Sequence, residues 1–285
     1  MNLDALFASI GAAGWGAVSY EKLLPHMDQG AREKAEALCP HPATVLVAAF
    51  PYYAGDRPGN LSLYARGLDY HLALLQRLEE AAARLRQEDP AGRFVPGADN
   101  SPLPEREAAW RAGLGLQGEN GLVILPPYGS WVFLGTILTD RTVSNGERAP
   151  SSPCLRCGKC VSACPGGALS PGGFRVDRCL SHLTQKKGEL PPEEEKLVRA
   201  HPLIWGCDRC QTVCPYNAHP LPSPLPEFRE ELVDSLTSAD LAGLTNRQFR
   251  EQYGRRAFAW RGPAPLRRNL DLRGEKSEKS IDKLF

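Results

Sequence analysis

Eight of the nine cysteines lie within one stretch of 61 residues, and this clustering restricts the fold more than any other feature of the chain. The first run has the spacing of a bacterial ferredoxin, in which three thiolates wrap one [4Fe–4S] cluster and a fourth, followed by proline, ligates the other. A second copy carries an insertion of 27 residues after its first cysteine. By this crossover rule we predict one cluster on Cys154, Cys157, Cys160 and Cys214, and a second on Cys179, Cys207, Cys210 and Cys164.

Zinc is the alternative occupant of such thiolates, because C-x-x-C pairs also form tetrahedral zinc sites. Both runs contain three or four cysteines and end in proline, which favours the iron–sulfur clusters. Cys39 stands apart from them and is expected to be an ordinary semi-buried cysteine.

The number of cysteines also indicates the cellular compartment of the protein. Their number is odd, and the N-terminus has no basic region before an apolar core, so a secreted disulfide scaffold is not expected. No apolar stretch reaches the roughly 18 residues that span a bilayer. We therefore expect a cytoplasmic protein with no membrane segment, most simply a monomer.

Three consecutive regions are predicted: residues 1–145, 146–220 and 221–285. The first is a mixed α/β domain, the second holds the cysteines, and the third is an extended, basic C-terminal segment. The apolar run 45–50 predicts a buried strand, and apolar spacing over 72–85 predicts a helix. Residues 104–110 predict a short helix, and the runs 122–125 and 131–134 predict a hairpin around a turn.

The first region lacks the usual phosphate-binding motifs. The segment from Gly113 to Gly118 fits G-x-G-x-x-G, but it follows a helix rather than a strand, so we expect no dinucleotide site there. Its glycines would instead let the backbone approach a large planar cofactor. His71 follows Asp69 as in a cobalamin-ligand motif, but Leu74 stands where that motif has glycine. We therefore do not predict His71 as a cobalt ligand.

The motifs of the whole chain, over roughly residues 1–270, resemble those of the epoxyqueuosine reductases. The matching strings are Tyr64-Ala65-Arg66-Gly67-Leu68-Asp69-Tyr70-His71, Ala98-Asp99-Asn100-Ser101, Arg111-Ala112-Gly113-Leu114-Gly115, Tyr128-Gly129-Ser130-Trp131, Arg178-Cys179-Leu180-Ser181-His182, Gly206-Cys207-Asp208-Arg209-Cys210 and Trp260-Arg261-Gly262. The resemblance implies an α+β protein: a nitroreductase-like α/β cobalamin-binding domain followed by a bacterial ferredoxin-like domain with two [4Fe–4S] clusters. It further implies base-off cobalamin and reduction of epoxyqueuosine to queuosine at the wobble position of tRNA.

The resemblance also implies roles for individual residues. Asp99 matches the family's proposed proton donor, and a partly desolvated carboxyl with a raised pKa would suit that role. The alternative for Asp99 is a turn-forming residue. Candidate contacts to cofactor or substrate are Tyr64, Arg66, Asp69, His71, Gly115, Asn120, Tyr128 and Ser130, with Tyr70 and Trp131 beside them. Arg66 could instead bind a phosphate, and Asp69 could simply cap a helix.

Two departures from the family concern RNA. Glu119 stands where many members have lysine, and the helical-repeat domain with which longer members grip tRNA does not follow in this sequence. The chain carries a net charge of +1, but residues 247–285 contain eleven basic and five acidic residues. We expect this segment to contact the tRNA anticodon loop through Arg247, Arg250, Arg255, Arg256, Arg261, Arg267 and Arg268. Its aromatic residues Phe249, Tyr253, Phe258 and Trp260 either stack on bases or pack inside the protein.

Two other functions stay open at this point. One is a ferredoxin-type electron-transfer protein without substrate chemistry, and the other is a corrinoid and iron–sulfur reductase of a small molecule. Bound corrinoid separates the first from the leading hypothesis. In each case an electron donor such as a flavodoxin or a ferredoxin is expected.

Overall fold

The computed structural model describes residues 2–143, 149–170 and 173–274. By contact the chain divides into two compact units, each assembled from separate segments. The first unit comprises Met1–Tyr53, Tyr70–Cys157 and Tyr216–Pro226, and the second comprises Ala54–Asp69, Gly158–Pro215 and Glu227–Phe285. The predicted boundary between residues 145 and 146 lies outside the described residues, and the three consecutive regions stay a prediction.

The first unit is built on a four-stranded antiparallel sheet with the strand order β1-β2-β6-β3. Its strands are β1 (Gly14–Ser19), β2 (Thr44–Pro51), β3 (Phe94–Gly97), β4 (Leu116–Gln117), β5 (Val123–Ile124) and β6 (Val132–Thr139), of which β4 and β5 form a separate pair. Its helices are α1 (Leu3–Ser9), α2 (Gln29–Leu38), α3 (Tyr70–Glu88) and α4 (Glu105–Arg111).

Strand β2 is the centre of this unit because every one of its residues is buried. Val45, Val47 and Ala49 project from one face into a core shared with α2 and α4. Helix α3 packs against β3 and β6 and buries an apolar stripe that includes Leu74 and Leu78. Helices therefore cover the sheet, and an antiparallel sheet with such helices is the α+β class predicted from the sequence.

The predicted strand at 45–50 and the helices at 72–85 and 104–110 are confirmed by β2, α3 and α4. The predicted hairpin between 122–125 and 131–134 is wrong. A turn is present, with the Leu125 N–H donating to the Gly129 carbonyl at 2.8 Å, but β5 pairs with β4 and β6 pairs with β2 and β3. The eight-residue β6 gains more pairing between two sheet strands than a hairpin with the two-residue β5 would offer.

The second unit consists mainly of short helices. They are α5 (Lys159–Ser162), α6 (Leu180–Leu183), α7 (Pro192–Ala200), α8 (Arg209–Thr212), α9 (Ser238–Leu241), α10 (Asn246–Tyr253) and α11 (Ala264–Leu272), accompanied by the small strands β7 (Leu169–Ser170) and β8 (Gly173–Phe174). One apolar cluster of this unit is formed by Leu180, Leu183, Leu190 and Val198. Fully buried Asn269 ties α11 to two loops, because its Nδ2 donates to the carbonyls of Thr184 at 2.8 Å and Ile204 at 2.7 Å.

The C-terminal segment is not extended as predicted, because residues 238–272 contain α9, α10 and α11. The side chains of Thr237 and Thr245 cap α9 and α10 in capping boxes, which stabilise helices too short to show clear periodicity. Two of the predicted RNA-binding arginines are engaged inside this unit. Arg267 donates to the carbonyls of Leu241 and Leu244, and Arg268 donates to those of Lys186 and Gly188.

Within the described part of the chain, no helix combines the length and the apolar character needed to cross a bilayer.

Candidate functional site

The loop that carries Asp99 connects β3 to α4 in the first unit. Asp99 has a φ of +55°, in the left-handed region that only a few residue types tolerate, aspartate among them. Its side chain is 58% exposed. The residue therefore does form a turn, as the alternative interpretation predicts, and the turn leaves its carboxyl available for chemistry.

The first two residues of α3 meet the Asp99 carboxylate. The Tyr70 hydroxyl donates to Asp99 Oδ2 at 2.7 Å, and His71 Nε2 lies 3.1 Å from the same oxygen. These two contacts, led by the one to His71, hold the pKa of Asp99 below its usual value although burial opposes them. The raised pKa that the sequence analysis expects for Asp99 is therefore wrong, because a carboxylate with such partners is stabilised in its charged form.

Glu105, the first residue of α4, is a member of this cluster that sequence reasoning missed. Its Oε1 accepts the backbone N–H of Asp99 at 2.8 Å and lies 3.4 Å from the Ser101 hydroxyl. Burial raises the pKa of Glu105 to about 8, and the negative charge of Asp99 adds to the rise. In the sequence Glu105 looks like an ordinary acid in the first turn of a helix, so only its position six residues after Asp99 could have drawn attention to it.

Two neighbouring carboxyls with opposite pKa shifts are a pattern found in acid–base sites. Near neutral pH Asp99 is charged, whereas Glu105 keeps its proton. The cluster therefore holds a proton donor and a proton acceptor within one loop, with His71 and Tyr70 hydrogen-bonded to the acceptor. Proton transfer to a bound substrate is the chemistry that this arrangement supports.

A row of stacked aromatic rings continues from this cluster within the first unit. Tyr70 stacks on His71 at 4.1 Å between ring centroids and on Phe133 at 4.4 Å, and Phe133 stacks on Tyr52 at 4.3 Å. Trp131 stacks on Tyr53 at 5.9 Å. Tyr52, Tyr53 and Trp131 are buried, whereas Tyr70 and Phe133 are half-buried. The end of the row formed by Tyr70 and Phe133, next to Asp99, is therefore the part that could contact the cobalamin implied by the family resemblance.

The predicted contact residues Tyr128 and Ser130 lie next to Trp131 on the turn before β6. Tyr128 is half-buried. Ser130 is buried, and its backbone N–H donates to Asn217 Oδ1 at 2.7 Å while its hydroxyl accepts from Asn217 Nδ2 at 2.8 Å. Gly129 allows this contact, because a Cβ there would lie 2.0 Å from the same Asn217 oxygen. Asn217 therefore positions the turn, a role that no motif in the sequence indicates.

Gly115 and Asn120 serve the chain's own packing. A Cβ at Gly115, whose φ is +80°, would lie 2.5 Å from the carbonyl oxygen of Ile124 on the neighbouring strand. Asn120 Oδ1 accepts the N–H of Leu122 at 3.2 Å in the turn between β4 and β5. The close approach at Gly115 is thus made by the protein backbone itself, and a contact of either residue with a cofactor stays a prediction.

The remaining predicted contacts belong to the second unit. Arg66 is buried and donates to the carbonyls of Leu61 at 2.8 Å and Arg57 at 2.7 Å, and to Asp234 Oδ1 at 3.1 Å. These partners favour a structural role over phosphate binding. The backbone N–H of Asp69 donates to the Arg255 carbonyl at 2.8 Å. The Tyr64 hydroxyl accepts a hydrogen bond of 3.2 Å from Gln185 Nε2.

Three cysteines of the second predicted cluster come near one another in the second unit. Burial raises the pKa of Cys207 to about 12, and the charges of Asp208, Cys179 and Cys164 add to the rise. A thiol so disfavoured as a free anion is stabilised as a thiolate when iron binds it. The chemistry of these donors fits an iron–sulfur cluster, and the assignment of individual cysteines to the two clusters stays a prediction.

Backbone amides also point at cysteine sulfurs. The Ala168 N–H donates to Cys164 Sγ at 3.2 Å, and the Glu119 N–H donates to Cys154 Sγ at 3.4 Å. Such N–H···S bonds are one of the means by which proteins tune cluster potentials. Cys39 is fully buried in the core of the first unit. Across residues 2–143, 149–170 and 173–274, no three His, Cys, Asp or Glu side chains converge on a site for a single metal ion.

Comparisons with known families agree with the cysteine pattern. Residues 153–217 match the model of a family described as a 4Fe-4S double cluster binding domain. Residues 32–99 match a family model described as epoxyqueuosine reductase QueG, DUF1730. Together the two matches cover both cysteine runs and the part of the chain that ends at Asp99.

Curated relatives extend the similarity along the chain. An epoxyqueuosine reductase of Bacillus cereus is 34% identical over 90% of this chain and 70% of its own length. One from Synechocystis is 33% identical over 90% of this chain and 91% of its own length. Against four other such relatives this chain spans 56–65% of their length.

Solved structures of epoxyqueuosine reductases are also similar to the chain. One holds a tRNA-Tyr epoxyqueuosine-modified stem loop and has a TM-score of 0.78 at 30% identity, covering 95% of this chain and 79% of its own. A Bacillus subtilis structure, described with its catalytic aspartate loop swung out of the active site, has a TM-score of 0.83 at 28% identity, covering 99% and 83%.

The cysteine assignment predicts the effect of removing one ligand. Anaerobically purified wild-type protein should contain about eight irons per chain, and Cys207→Ser should lose one cluster and fall to about four. Cys39→Ala is the control and should keep the full iron content, because Cys39 is not among the predicted ligands. Unchanged iron in Cys207→Ser, or zinc in place of iron in the wild type, would contradict the assignment.

The pKa of Glu105 predicts a protonated carboxyl at pH 7. Infrared spectra should show its carbonyl band in the wild type, absent from Glu105→Gln and titrating near pH 8. In Asp99→Asn the band should titrate at lower pH, because a neighbouring negative charge is gone. The wild type should also lose stability relative to Glu105→Gln as the pH rises from 4.5 to about 8, since the unfolded chain releases this proton first. A wild-type spectrum that Glu105→Gln leaves unaltered would refute the shift.

Proposed function

The chain belongs to the epoxyqueuosine reductase family, and from this premise we propose that it reduces epoxyqueuosine to queuosine at the wobble position of tRNA. The observation that carries the proposal is the Synechocystis relative, which is similar in sequence across nearly the whole of both chains. The hydrogen-bonded cluster around Asp99 adds the acid–base groups that such a reaction needs. The finer points below are part of the same proposal.

The stoichiometry of the reaction determines how many electrons and protons the protein must supply. Removal of the epoxide oxygen as water breaks both of its C–O bonds and leaves a carbon–carbon double bond. The balance requires two electrons and two protons for each substrate. The electrons must reach a buried centre one at a time, and the protons must come from groups placed at the substrate.

Two cofactors fit the electron requirement. The eight clustered cysteines would hold two [4Fe–4S] clusters that take electrons from a small donor protein such as a flavodoxin or a ferredoxin. A base-off cobalamin against the half-buried rings of Tyr70 and Phe133 would supply the reducing chemistry at its cobalt. His71, which we do not predict as a cobalt ligand, contacts Asp99 through its Nε2.

Proton delivery falls to the chain's own side chains. Asp99 is the exposed group of the cluster, so it is the one placed to reach the epoxide oxygen. Because its resting pKa is low, it must receive a proton before it can give one. His71 Nε2 contacts this carboxylate directly and is the immediate source, while the Tyr70 hydroxyl holds the carboxylate in place. Glu105 fixes the backbone of Asp99 and holds a further proton nearby.

The RNA is expected to meet the basic C-terminal segment. Arg267 and Arg268 are tied to backbone carbonyls, so the contacts with phosphates fall to exposed arginines such as Arg247, Arg250 and Arg255. The relative crystallised with a tRNA stem loop supports this partner. A monomeric state and a cytoplasmic location complete the proposal.

The proposal predicts turnover that depends on Asp99. Holoprotein with a chemical reductant should convert epoxyqueuosine in an anticodon stem–loop to queuosine, measured by mass spectrometry of the digested nucleosides. Asp99→Asn should retain iron and corrinoid and be slower by about 10²–10⁴-fold, as expected for loss of a proton-transferring group. Asp271→Asn, an exposed substitution on α11, is the control and should keep the wild-type rate. Normal turnover by Asp99→Asn would remove Asp99 from the mechanism, and no turnover by the wild type would remove the proposed reaction.

A further inference from the structure

The four aromatic residues of the C-terminal segment fall into two groups. Phe249, Tyr253 and Phe258 are 0%, 9% and 0% exposed, so they pack inside the second unit. Trp260 is 61% exposed. Of the two alternatives for these residues, packing inside the protein therefore applies to the first three. Trp260 alone among the four presents its ring to solvent and could stack on a base.

The exposed indole of Trp260 is held in place at its edge. Its Nε1 donates to Gln185 Oε1 at 3.1 Å. Gln185 is itself fixed, because its Nε2 donates to the Ser181 carbonyl at 2.8 Å and to the Tyr64 hydroxyl at 3.2 Å. A ring anchored by its edge keeps its faces free of that contact, and it loses little conformational entropy when a flat partner binds.

An arginine completes the arrangement. The guanidinium carbon of Arg261 lies 3.7 Å from the centroid of the Trp260 ring, a cation–π contact. Arg261 Nε is buried and has no hydrogen-bond partner among the described residues. Indole and guanidinium planes together are the groups on which proteins stack unpaired bases of RNA.

The sequence segment that contains Trp260 is basic. Residues 247–285 carry eleven basic and five acidic residues, and Arg250 and Arg255 of this segment are exposed. A basic segment that also carries an exposed aromatic ring matches a single-stranded nucleic acid, which offers phosphates and flat bases together.

We propose that Trp260 and Arg261 form a stacking platform for an unpaired nucleobase of the RNA substrate. This inference rests on the proposed function for the presence of RNA, and it adds a specific contact and a role for Trp260. Stacking on an aromatic ring does not discriminate between nucleobases, so the platform would accept any unpaired base of the anticodon loop. The link through Gln185 to Tyr64 connects it to a residue already predicted at the substrate wall.

The test compares binding of two RNAs to the anaerobic holoprotein by fluorescence anisotropy over a range of salt concentrations. One RNA is the anticodon stem–loop and the other is a fully paired duplex with the same stem. Trp260→Ala should weaken stem–loop binding roughly five- to hundredfold, with no change in the slope against salt, because stacking involves no counterion release. Its binding to the duplex should match that of the wild type, since a duplex offers no unpaired base.

Matched variants separate stacking from other effects. Trp260→Phe keeps an aromatic face and should recover most of the lost affinity. Phe174→Ala removes an exposed aromatic ring elsewhere in the second unit, 52% exposed, and should bind as the wild type does. Arg261→Ala should weaken binding and also reduce the salt slope by about one, as loss of one cationic contact does. Iron content of each variant confirms that the fold is intact.

Four results would overturn the inference. Wild-type affinity in Trp260→Ala would show that the ring does not contact RNA. An equal loss of affinity for stem–loop and duplex would show that the ring does not stack on an unpaired base. A Trp260→Ala variant that binds RNA normally but loses electron transfer from a donor protein would assign the ring to a protein interface. Failure of the wild type to bind the stem–loop at all would instead remove RNA from the proposed function, and the inference with it.

Discussion

The ligation of iron by cysteine is the constraint on which the second unit depends. Three of the helices that flank the cysteines have only four residues, too few to be stable on their own. Apolar burial near the first cysteines of this unit is slight: across the described residues of 158–179, the buried apolar side chains are Ala168 and Leu169. The thiolates therefore supply cross-links there that apolar burial does not, and we expect cluster assembly and folding to be coupled in this stretch. The spacing C-x2-C-x2-C-x3-C-P is conspicuous in the sequence for the same reason.

In the first unit, the proposed proton transfer depends on two carboxyls, those of Asp99 and Glu105, that one loop holds in different environments. Asp99 projects outward and is paired with His71 and Tyr70, which favour its charged form. Glu105 is half-buried against the loop, and its partial burial and the charge of Asp99 favour its neutral form. One short connection between β3 and α4 thus separates a charged group from a protonated one. The positive φ of Asp99 contributes to this arrangement, because it turns the carboxyl outward while the backbone N–H of Asp99 donates a hydrogen bond to Glu105.

Local patterns were enough to predict much of the molecule, and contacts distant in sequence account for the errors. Strand β2, helices α3 and α4 and the α+β class follow from hydrophobic spacing. The hairpin prediction was wrong because β6 finds its partners in β2 and β3, which spacing alone does not reveal. Glu105 was missed because its environment exists only once the Asp99 loop has folded. Sequence also cannot distinguish an arginine that binds phosphate from one that binds carbonyls, and Arg66, Arg267 and Arg268 are of the second kind.

Electron delivery from paired clusters to a corrin bound by the first unit distinguishes the proposed reductase from a ferredoxin-type carrier, because such a carrier needs no corrin. The most direct measurement is a titration of anaerobically purified, iron-loaded protein with cobalamin, followed by absorption spectroscopy and cobalt analysis of the isolated complex. We expect one tightly bound corrinoid per chain, in a base-off form, whose cobalt is reduced when electrons enter through the clusters. Protein with its full iron and sulfide that binds no corrinoid would contradict it.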